Sequence, residues 1–335
     1  MMLSICLALN LIFLCYIPYY LWFTPLVFLS LYAAAQLKAG SKALHILLGW
    51  NQMSGALIGA AIVTVYCFSG GIRASIWTDC AQSMVMIFAM TMVCFVSIHT
   101  LGGVSETLNQ LNKISPTFMN WFSKEHSHSL LSQLLFVLGW IFAGFGVVGQ
   151  PHIMVRFMAL KNPEKMTRTR VYYYTWYLLF SALTIIVGLC TRVLLAKNTP
   201  FDAELALPTL SMQLLPGALV GIVFAGLFAA TMSTADSQII SCTAAISNDF
   251  TKNKPFSYWG LKLLTLGIAA FALLIALFAH DSVFGLVLIS WAALSCVFTP
   301  LLLLLALGKK MPEYIAVLTM LVGFMESPWP ILPRL

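Results

Sequence analysis

A run of small polar residues inside a long apolar stretch is the first place where this sequence could do chemistry. The run, Thr231-Met-Ser-Thr-Ala-Asp-Ser-Gln238, carries groups that are costly in lipid and that tend to mark ion or substrate paths. Positions three and four apart share one helix face. The carbonyl of Ala230 and the hydroxyls of Ser233 and Thr234 are therefore expected to converge, and such oxygens suit a hard cation such as sodium. Close helix–helix packing is the alternative, since small residues also serve that purpose.

Two further segments place polar groups where an apolar helix begins or ends. Gly144-Phe-Gly-Val-Val-Gly-Gln-Pro-His152 combines glycines with a proline. Such a break exposes backbone groups that can hold an ion or a zwitterion, which makes Gln150 a candidate binding residue. A proline kink in a packed helix is the alternative. Asp79 opens another predicted span, where it either interacts with the helix dipole or lies near an exit path for the ion.

The composition requires that these segments be held in a membrane. Of 335 residues, 60% are hydrophobic and 9% are charged, whereas about a quarter are charged in a typical soluble domain. The apolar runs are continuous, which favours helices over a closed barrel. The net charge of +7 does not indicate a nucleic-acid partner, because the basic residues sit in short loops that set membrane orientation. The eight cysteines show no spacing typical of a metal site or a disulfide framework.

Apolar stretches of about 20 residues cross the hydrocarbon, which predicts an all-α membrane protein with about nine or ten transmembrane helices. The predicted spans are roughly 2–17, 20–46, 54–69, 77–99, 130–149, 171–195, 217–246, 258–279 and 283–307, with a shorter run at 314–324. Basic loops follow the third, fifth, seventh and ninth spans, and the fifth-span loop is taken to start with Arg156. We expect these loops to share the cytoplasmic side. The loop after the second span, with Lys38 and Lys42, is the exception.

Enzyme signatures are absent from the sequence. It has no HExxH, GxSxG or glycine-rich phosphate-binding motif. We therefore expect no catalytic activity and no cofactor, apart from Na⁺ as a coupling ion.

Four stretches, in this order and at these spans, resemble the sodium:solute symporter family, most closely its sodium/proline symporter branch. They are Tyr32-Ala-Ala-Ala-Gln-Leu37, Phe68-Ser-Gly-Gly-Ile-Arg-Ala-Ser-Ile-Trp-Thr-Asp79, Gly149-Gln-Pro-His-Ile-Met-Val-Arg-Phe-Met158 and Leu227-Phe-Ala-Ala-Thr-Met-Ser-Thr234. The resemblance covers roughly residues 20–307.

The resemblance implies a leucine-transporter-type fold of two inverted five-helix repeats, with ion and solute held near the midplane. It implies sodium-coupled symport of a small organic solute, such as proline or another amino acid, across the inner (plasma) membrane. The sodium ion, the solute and the lipid bilayer are then the expected partners. The implied residue roles are sodium binding by Ala230, Ser233 and Thr234, solute binding by Tyr32 and Pro151, and sodium dependence through Asp79.

The chain departs from the family pattern in two respects. Val147 and Ala143 stand where the proline transporters carry two aromatic residues, which implies a smaller and less aromatic pocket. The first core helices of the fold are also not recognisable. We expect a single membrane-embedded domain (1–335) made of a remnant span 1–18, a partial first repeat 19–100, an extracytoplasmic loop 101–129, a second repeat 130–307 and a truncated tail 308–335.

Missing core helices would remove sodium ligands, and the remaining site would then hold the ion weakly. Two alternatives to an active symporter therefore stand at this point. One is a non-functional truncated symporter remnant, and the other is a symporter-like sensor module.

Overall fold

The computed structural model describes residues 23–115, 117–122, 129–160, 162–195, 202–249, 256–279, 282–309 and 311–325. Within these ranges every regular element is a helix. The predicted span 2–17 and the end of the predicted tail lie outside the described residues.

The described helices follow the apolar runs of the sequence. They are α1 (Phe23–Leu48), α2 (Gln52–Thr100), α3 (Val104–Ile114), α4 (Leu130–Phe145), α5 (Pro151–Met158), α6 (Met166–Leu194), α7 (Ala206–Leu214), α8 (Gly217–Asp249), α9 (Tyr258–Phe278), α10 (Val283–Ala306) and α11 (Glu313–Met325). Each predicted span that falls in the described part therefore coincides with a helix.

Six of these segments are long and apolar enough to cross a membrane. They are Gly71–Thr100, Leu130–Gly149, Met166–Leu194, Gly217–Asn248, Tyr258–Phe278 and Val283–Ala306. Gln52–Phe68 and Tyr314–Met325 are shorter apolar helices. Helix α1 has the length of a span but is not among the six, and it carries Lys38 and Lys42.

The spans predicted at 54–69 and 77–99 form a single element, α2, which is broken at Gly71. This glycine has φ +58° and ψ −155°, a conformation that residues with a Cβ rarely adopt. The second part of α2 starts at this break, about two turns before the predicted start. Asp79 consequently lies inside the helix, so the prediction that it opens the span and interacts with the dipole there is wrong.

Helix α8 occupies the centre of the packing. It contacts α1 and α2 along much of its length, and small residues allow the close approach. A Cβ at Gly40 of α1 would lie 3.3 Å from Met232 Cε, and one at Gly226 of α8 would lie 3.0 Å from Ala89 Cβ. The polar run of α8 is thus held between two helices of the predicted first repeat.

The charged side chains gather at the two ends of the helices. At one end, Lys38 Nζ donates to the carbonyl of Ala279 at 2.8 Å and Lys42 pairs with Asp202 at 3.1 Å. These contacts join the segments after the second, sixth and eighth predicted spans, in agreement with a shared side. The prediction that Lys38 and Lys42 lie in a loop after the second span is wrong, because both belong to α1, and Lys42 forms an ion pair with a carboxylate. The sidedness itself stays a prediction.

Candidate functional site

The polar run of α8 has two different faces. Met232 and Ala235 are buried and belong to the main hydrophobic core. Ser233 and Thr234 lie on a half-buried face, and both hydroxyls donate to the carbonyl oxygen of Ala230, at 3.1 and 3.0 Å. The three oxygens therefore lie together, as the spacing predicts. Gly226, one turn earlier on the same face, packs against Ala89, so close helix packing stays the alternative to an ion site here.

This arrangement suits a small cation. A hydroxyl that donates its hydrogen to a carbonyl keeps its oxygen lone pairs available to a ligand. Neutral oxygens can then supply part of the shell that a hard cation requires, without a fixed charge at membrane depth. Sodium binding by Ala230, Ser233 and Thr234 stays a prediction.

The break after α4 is a real change of direction and not a kink in a continuous helix. Gly146–Gly149 forms one 3₁₀ turn, and Gln150 is extended (φ −92°, ψ 105°) before α5 begins. Pro151 takes the first position of α5, where its missing N–H costs no hydrogen bond. The predicted broken helix is therefore present, and the alternative of a proline kink is wrong.

Helix α10 holds this break in place. A Cβ at Gly149 would lie 2.5 Å from Thr299 Oγ1, so only glycine allows the turn to approach α10 this closely. The side-chain amide of Gln150 is fully buried and donates to the carbonyl of Trp291 and to Ser295 Oγ, both at 3.1 Å. Gln150 Oε1 has no partner among the described residues. A buried unpaired acceptor is costly, and it is available to a polar ligand at the break.

Tyr32 of α1 faces the start of α5. Its ring meets the ring of His152 edge to face, with centroids 5.6 Å apart. His152 is buried, and its Nδ1 has no partner among the described residues. The structure therefore brings Tyr32 together with the Gln150–Pro151 break, as a pocket formed by these segments requires.

Asp79 takes part in an ion pair that crosses three elements. Arg156 Nη2 of α5 lies 2.5 Å from Asp79 Oδ2 of α2, and the same guanidinium donates to Ser237 Oγ of α8. The pair thus ties the short helix after the break to both α2 and α8.

A second carboxylate adjoins this pair. Asp236 of α8 is 2% exposed and accepts hydrogen bonds from Ser75 Oγ at 3.1 Å and Ser237 Oγ at 3.0 Å. Arg156 also lies 3.5 Å from Ser75 Oγ. Arg156 pairs with Asp79, whereas Asp236 is linked to the guanidinium only through the hydroxyls of Ser75 and Ser237. The cluster therefore holds two carboxyl groups and one guanidinium.

Sequence reasoning missed two members of this cluster. Arg156 was assigned to a basic loop, which is wrong: it lies in the last turn of α5 and points toward Asp79. Asp236 was noted only as one of several polar groups. The available signal was that a single carboxylate in an apolar helix needs a partner, although the sequence does not say which one.

Lys262 of α9 contacts α2 just before the break at Gly71. Its ammonium donates to the carbonyl oxygen of Phe68 and lies 5.0 Å from the centroid of the Phe68 ring. This contact satisfies a carbonyl near the end of the first part of α2, close to Gly71. The position of Ser75 and Asp79, on the second part of α2, depends on the same break.

A separate charged cluster, here called the clasp, lies at the other end of the helices. The clasp consists of Lys42, Asp202 and Glu204, in which the lysine pairs with both carboxylates. Glu204 Oε1 also accepts from the N–H of Phe284 at 3.0 Å, at the start of α10. The clasp borders a cleft of about 740 Å³, and it links α1 to α10.

The pKa of Asp202, which lies outside the helices, reflects the clasp. Partial burial raises the pKa, but the backbone N–H of Glu204 and the ammonium of Lys42 act in the opposite sense and prevail. The net effect is a pKa below the ordinary value for aspartate.

Comparison with known proteins connects this geometry to a group of transporters. Residues 19–323 match the model of a family described as the sodium:solute symporter family. A high-affinity proline transporter of Bacillus subtilis is 28% identical over 308 residues, which cover 89% of this chain and 63% of the relative. A sodium/proline symporter of Escherichia coli is 28% identical over 311 residues, which cover 89% of this chain and 61% of the relative.

A sodium/pantothenate symporter of Haemophilus influenzae is 29% identical over 320 residues, which cover 91% of this chain and 64% of the relative. The chain therefore spans about three fifths of the length of the curated relatives it matches.

The fold has a counterpart among solved structures. The substrate-bound, outward-open state of a Na⁺-coupled sialic acid symporter matches with a TM-score of 0.70 at 16% identity. The match covers 100% of this chain and 82% of that one. The predicted all-helical, leucine-transporter-type membrane fold is thereby confirmed.

Proposed function

The chain belongs to the sodium:solute symporter family, and from this premise we propose that it takes part in sodium-coupled symport of a small organic solute. The predicted family is confirmed, and with it the prediction that the chain is not an enzyme, because the relatives are transporters. The chain is a multi-pass protein of the plasma membrane. The activity, the solute and the ion site are the proposal.

We assign sodium binding to Ala230, Ser233 and Thr234. The single observation that supports this assignment is that two half-buried hydroxyls of α8 converge on one carbonyl. Three oxygens are a partial shell, so a complete site needs further ligands, such as water. A partial shell of neutral oxygens binds sodium weakly, and weak binding lets the ion leave again.

We assign solute binding to the region between Tyr32 and the break at Gln150 and Pro151. Backbone groups freed by a broken helix, together with the unpaired Gln150 Oε1, can bind the charged ends of a zwitterion. An amino acid is the solute class that this chemistry fits. Proline is one candidate, since relatives transport it, but Val147 and Ala143 leave less aromatic surface around the solute.

Coupling is assigned to the cluster of Asp79, Arg156 and Asp236. Arg156 lies on α5, directly after the proposed solute site, and reaches Ser237 in the turn of α8 that follows the proposed sodium site. Movement of α5 on solute release therefore alters the charge balance beside the sodium path. Two carboxyl groups beside one guanidinium make the cluster better suited to a cation than to an anion.

Uptake measurements test the proposal. Membrane vesicles that contain the protein are given an inward sodium gradient or an equal choline gradient, together with a panel of radiolabelled amino acids and organic acids. We expect accumulation of at least one zwitterionic amino acid under sodium only. Equal accumulation under both gradients for every solute would contradict the proposal.

A further inference from the structure

Near its start, α6 is exposed on every side within the part of the chain that the structure describes. Residues 167–175 are all exposed. At the far end of the same helix Val187, Cys190 and Val193 are buried against α2, α3 and neighbouring segments. A transmembrane helix is exposed to lipid on one face as a rule, so exposure on all faces over nearly three turns is unusual.

The length of α6 allows this exposed stretch to reach the headgroup layer. The helix has 29 residues and is about 43 Å long at 1.5 Å per residue, whereas the hydrocarbon core is about 30 Å thick. The helix is therefore long enough to span the hydrocarbon and still extend beyond it at the near end. The near end is also the side at which the basic loops are predicted to gather.

The exposed stretch combines cations with phenol rings. Its cationic and tyrosine side chains are Lys165, Arg168, Arg170, Tyr172, Tyr173, Tyr174 and Tyr177. Tyrosines of this kind are enriched at the membrane interface, where the ring is in the acyl region and the hydroxyl is wet. Helix α6 contains no Asp or Glu. Glu164, in the turn before it, is the only acidic residue between positions 163 and 194.

Contacts within the helix hold the two arginine side chains in positions from which they can bind anions outside the protein. The guanidinium of Arg168 stacks over the ring of Tyr172, 5.4 Å from its centroid, and Arg168 Nε donates to Tyr172 Oη at 2.8 Å. On the opposite side of the helix, Arg170 Nη2 donates to Thr167 Oγ1 at 3.2 Å. These contacts fix the side chains but use only part of their donors.

We propose that residues 165–177 bind the headgroups of anionic phospholipids. The charge of the stretch complements an anionic leaflet, where each Lys or Arg near the surface contributes about 1 kcal/mol. The phosphate accepts the free guanidinium N–H groups, and the acyl chains lie along the tyrosine rings. This inference is independent of the transport proposal, since lipid binding requires neither sodium nor solute.

The test is the lipid composition around the purified protein. The protein is reconstituted in nanodiscs made of equal parts of phosphatidylglycerol and phosphatidylcholine. The lipids that remain bound after delipidation are then quantified by mass spectrometry. The R168Q/R170Q variant is compared with R73Q/K113Q, which removes the same number of exposed charges elsewhere. The R168K/R170K variant keeps the charges, and circular dichroism verifies folding.

We expect the wild type to retain phosphatidylglycerol in preference to phosphatidylcholine. R168Q/R170Q should reduce that preference at least about fivefold, the factor that corresponds to about 1 kcal/mol, while R73Q/K113Q leaves it unchanged and R168K/R170K largely restores it. Equal loss in both double variants, or no preference in the wild type, would overturn the proposal. So would full displacement of the lipid by millimolar glycerol phosphate, which would indicate a site for free phosphate. Retained preference in R168Q/R170Q together with a cross-link from Tyr173 to a protein segment would show that protein covers this stretch.

Discussion

The guanidinium of Arg156 lies 2.5 Å from the carboxylate of Asp79, although the two residues belong to different predicted repeats. The contact joins the short helix after the break, α5, to the second part of α2. It also brings Arg156 to the turn of α8 that follows the two hydroxyls of the proposed sodium site. The state of this one ion pair can therefore report on both sites of the proposed symporter.

Breaking that pair should impair coupling more than folding. R156Q leaves Asp79 and Asp236 without a cation, and a polar group stripped of its partner costs about 1–3 kcal/mol when buried. That cost falls on Asp79, whose side chain is only 16% exposed, so the unfolding temperature of R156Q is measured alongside uptake. We expect sodium-dependent uptake to fall at least about tenfold, and R156K to retain part of it. K113Q, which changes an exposed lysine of α3, serves as the control, and equal uptake by R156Q and K113Q would refute the role of the pair.

The close approach of the break to α10 should make Gly149 irreplaceable. A methyl group at this position collides with Thr299, and overpacking of this kind costs about 1–3 kcal/mol. G149A should therefore lower the unfolding temperature in detergent. Gly139 of α4 is the matched control, because a Cβ there meets nothing within 4 Å, and G139A should be neutral or slightly stabilising. Equal unfolding temperatures for the two variants would show that the turn is not held as described.

Substitution can separate the role of the Tyr32 hydroxyl from the role of its ring. Y32F keeps the ring that packs against His152 and removes only the hydroxyl, whereas Y32A removes both. If the hydroxyl contacts the solute, Y32F raises the KM for solute several-fold while the KM for sodium and the unfolding temperature stay close to the wild-type values. A Y32F variant with unchanged KM would restrict Tyr32 to packing.

The clasp should stabilise the folded protein at neutral pH and lose this contribution at acid pH. The pKa of Asp202 is lower in the folded protein than in the unfolded chain, where it is about 3.9. The contribution of the clasp is thus fully present above about pH 5 and is lost as the pH falls through and below the ordinary value. Because the Asp202 side chain is 45% exposed, the effect is small, about 0.2–1 kcal/mol.

Thermal unfolding between pH 7 and pH 3 measures this effect. The difference in unfolding temperature between wild type and D202N should be present at pH 7, shrink below about pH 4 and fall at high salt. E164Q, which changes an exposed carboxylate in the turn before α6, provides the background. A difference that is constant across the pH range would contradict the ion pair.

Local pattern was sufficient to predict part of this architecture. The convergence of Ser233 and Thr234 on Ala230 follows from helix periodicity, and the break before Pro151 follows from the residues themselves. The Arg156–Asp79–Asp236 cluster could not be predicted, because it depends on contacts between α2, α5 and α8. Arg156 is followed by several other basic residues, and this pattern is typical of a basic loop.

The sequence likewise did not predict that the second part of α2 begins at Gly71. Two apolar runs predict two spans, and the non-helical Gly71 does separate two helical segments, Gln52–Phe68 and Gly71–Thr100. The sequence does not show that the second segment begins at Gly71 itself, without a loop between the two. Polar residues such as Ser75 and Asp79 are accommodated there because they meet Asp236 and Arg156, partners that no local window contains.

Direct binding of radioactive sodium to the purified protein tests the central claim. The comparison is between wild type and S233A/T234A, with S83A/T184A as a control that removes two hydroxyls bonded to their own helices elsewhere. We predict that the wild type binds sodium with low affinity, that S233A/T234A weakens binding at least about tenfold, and that the control binds as the wild type does. Undiminished sodium binding by S233A/T234A would contradict the account.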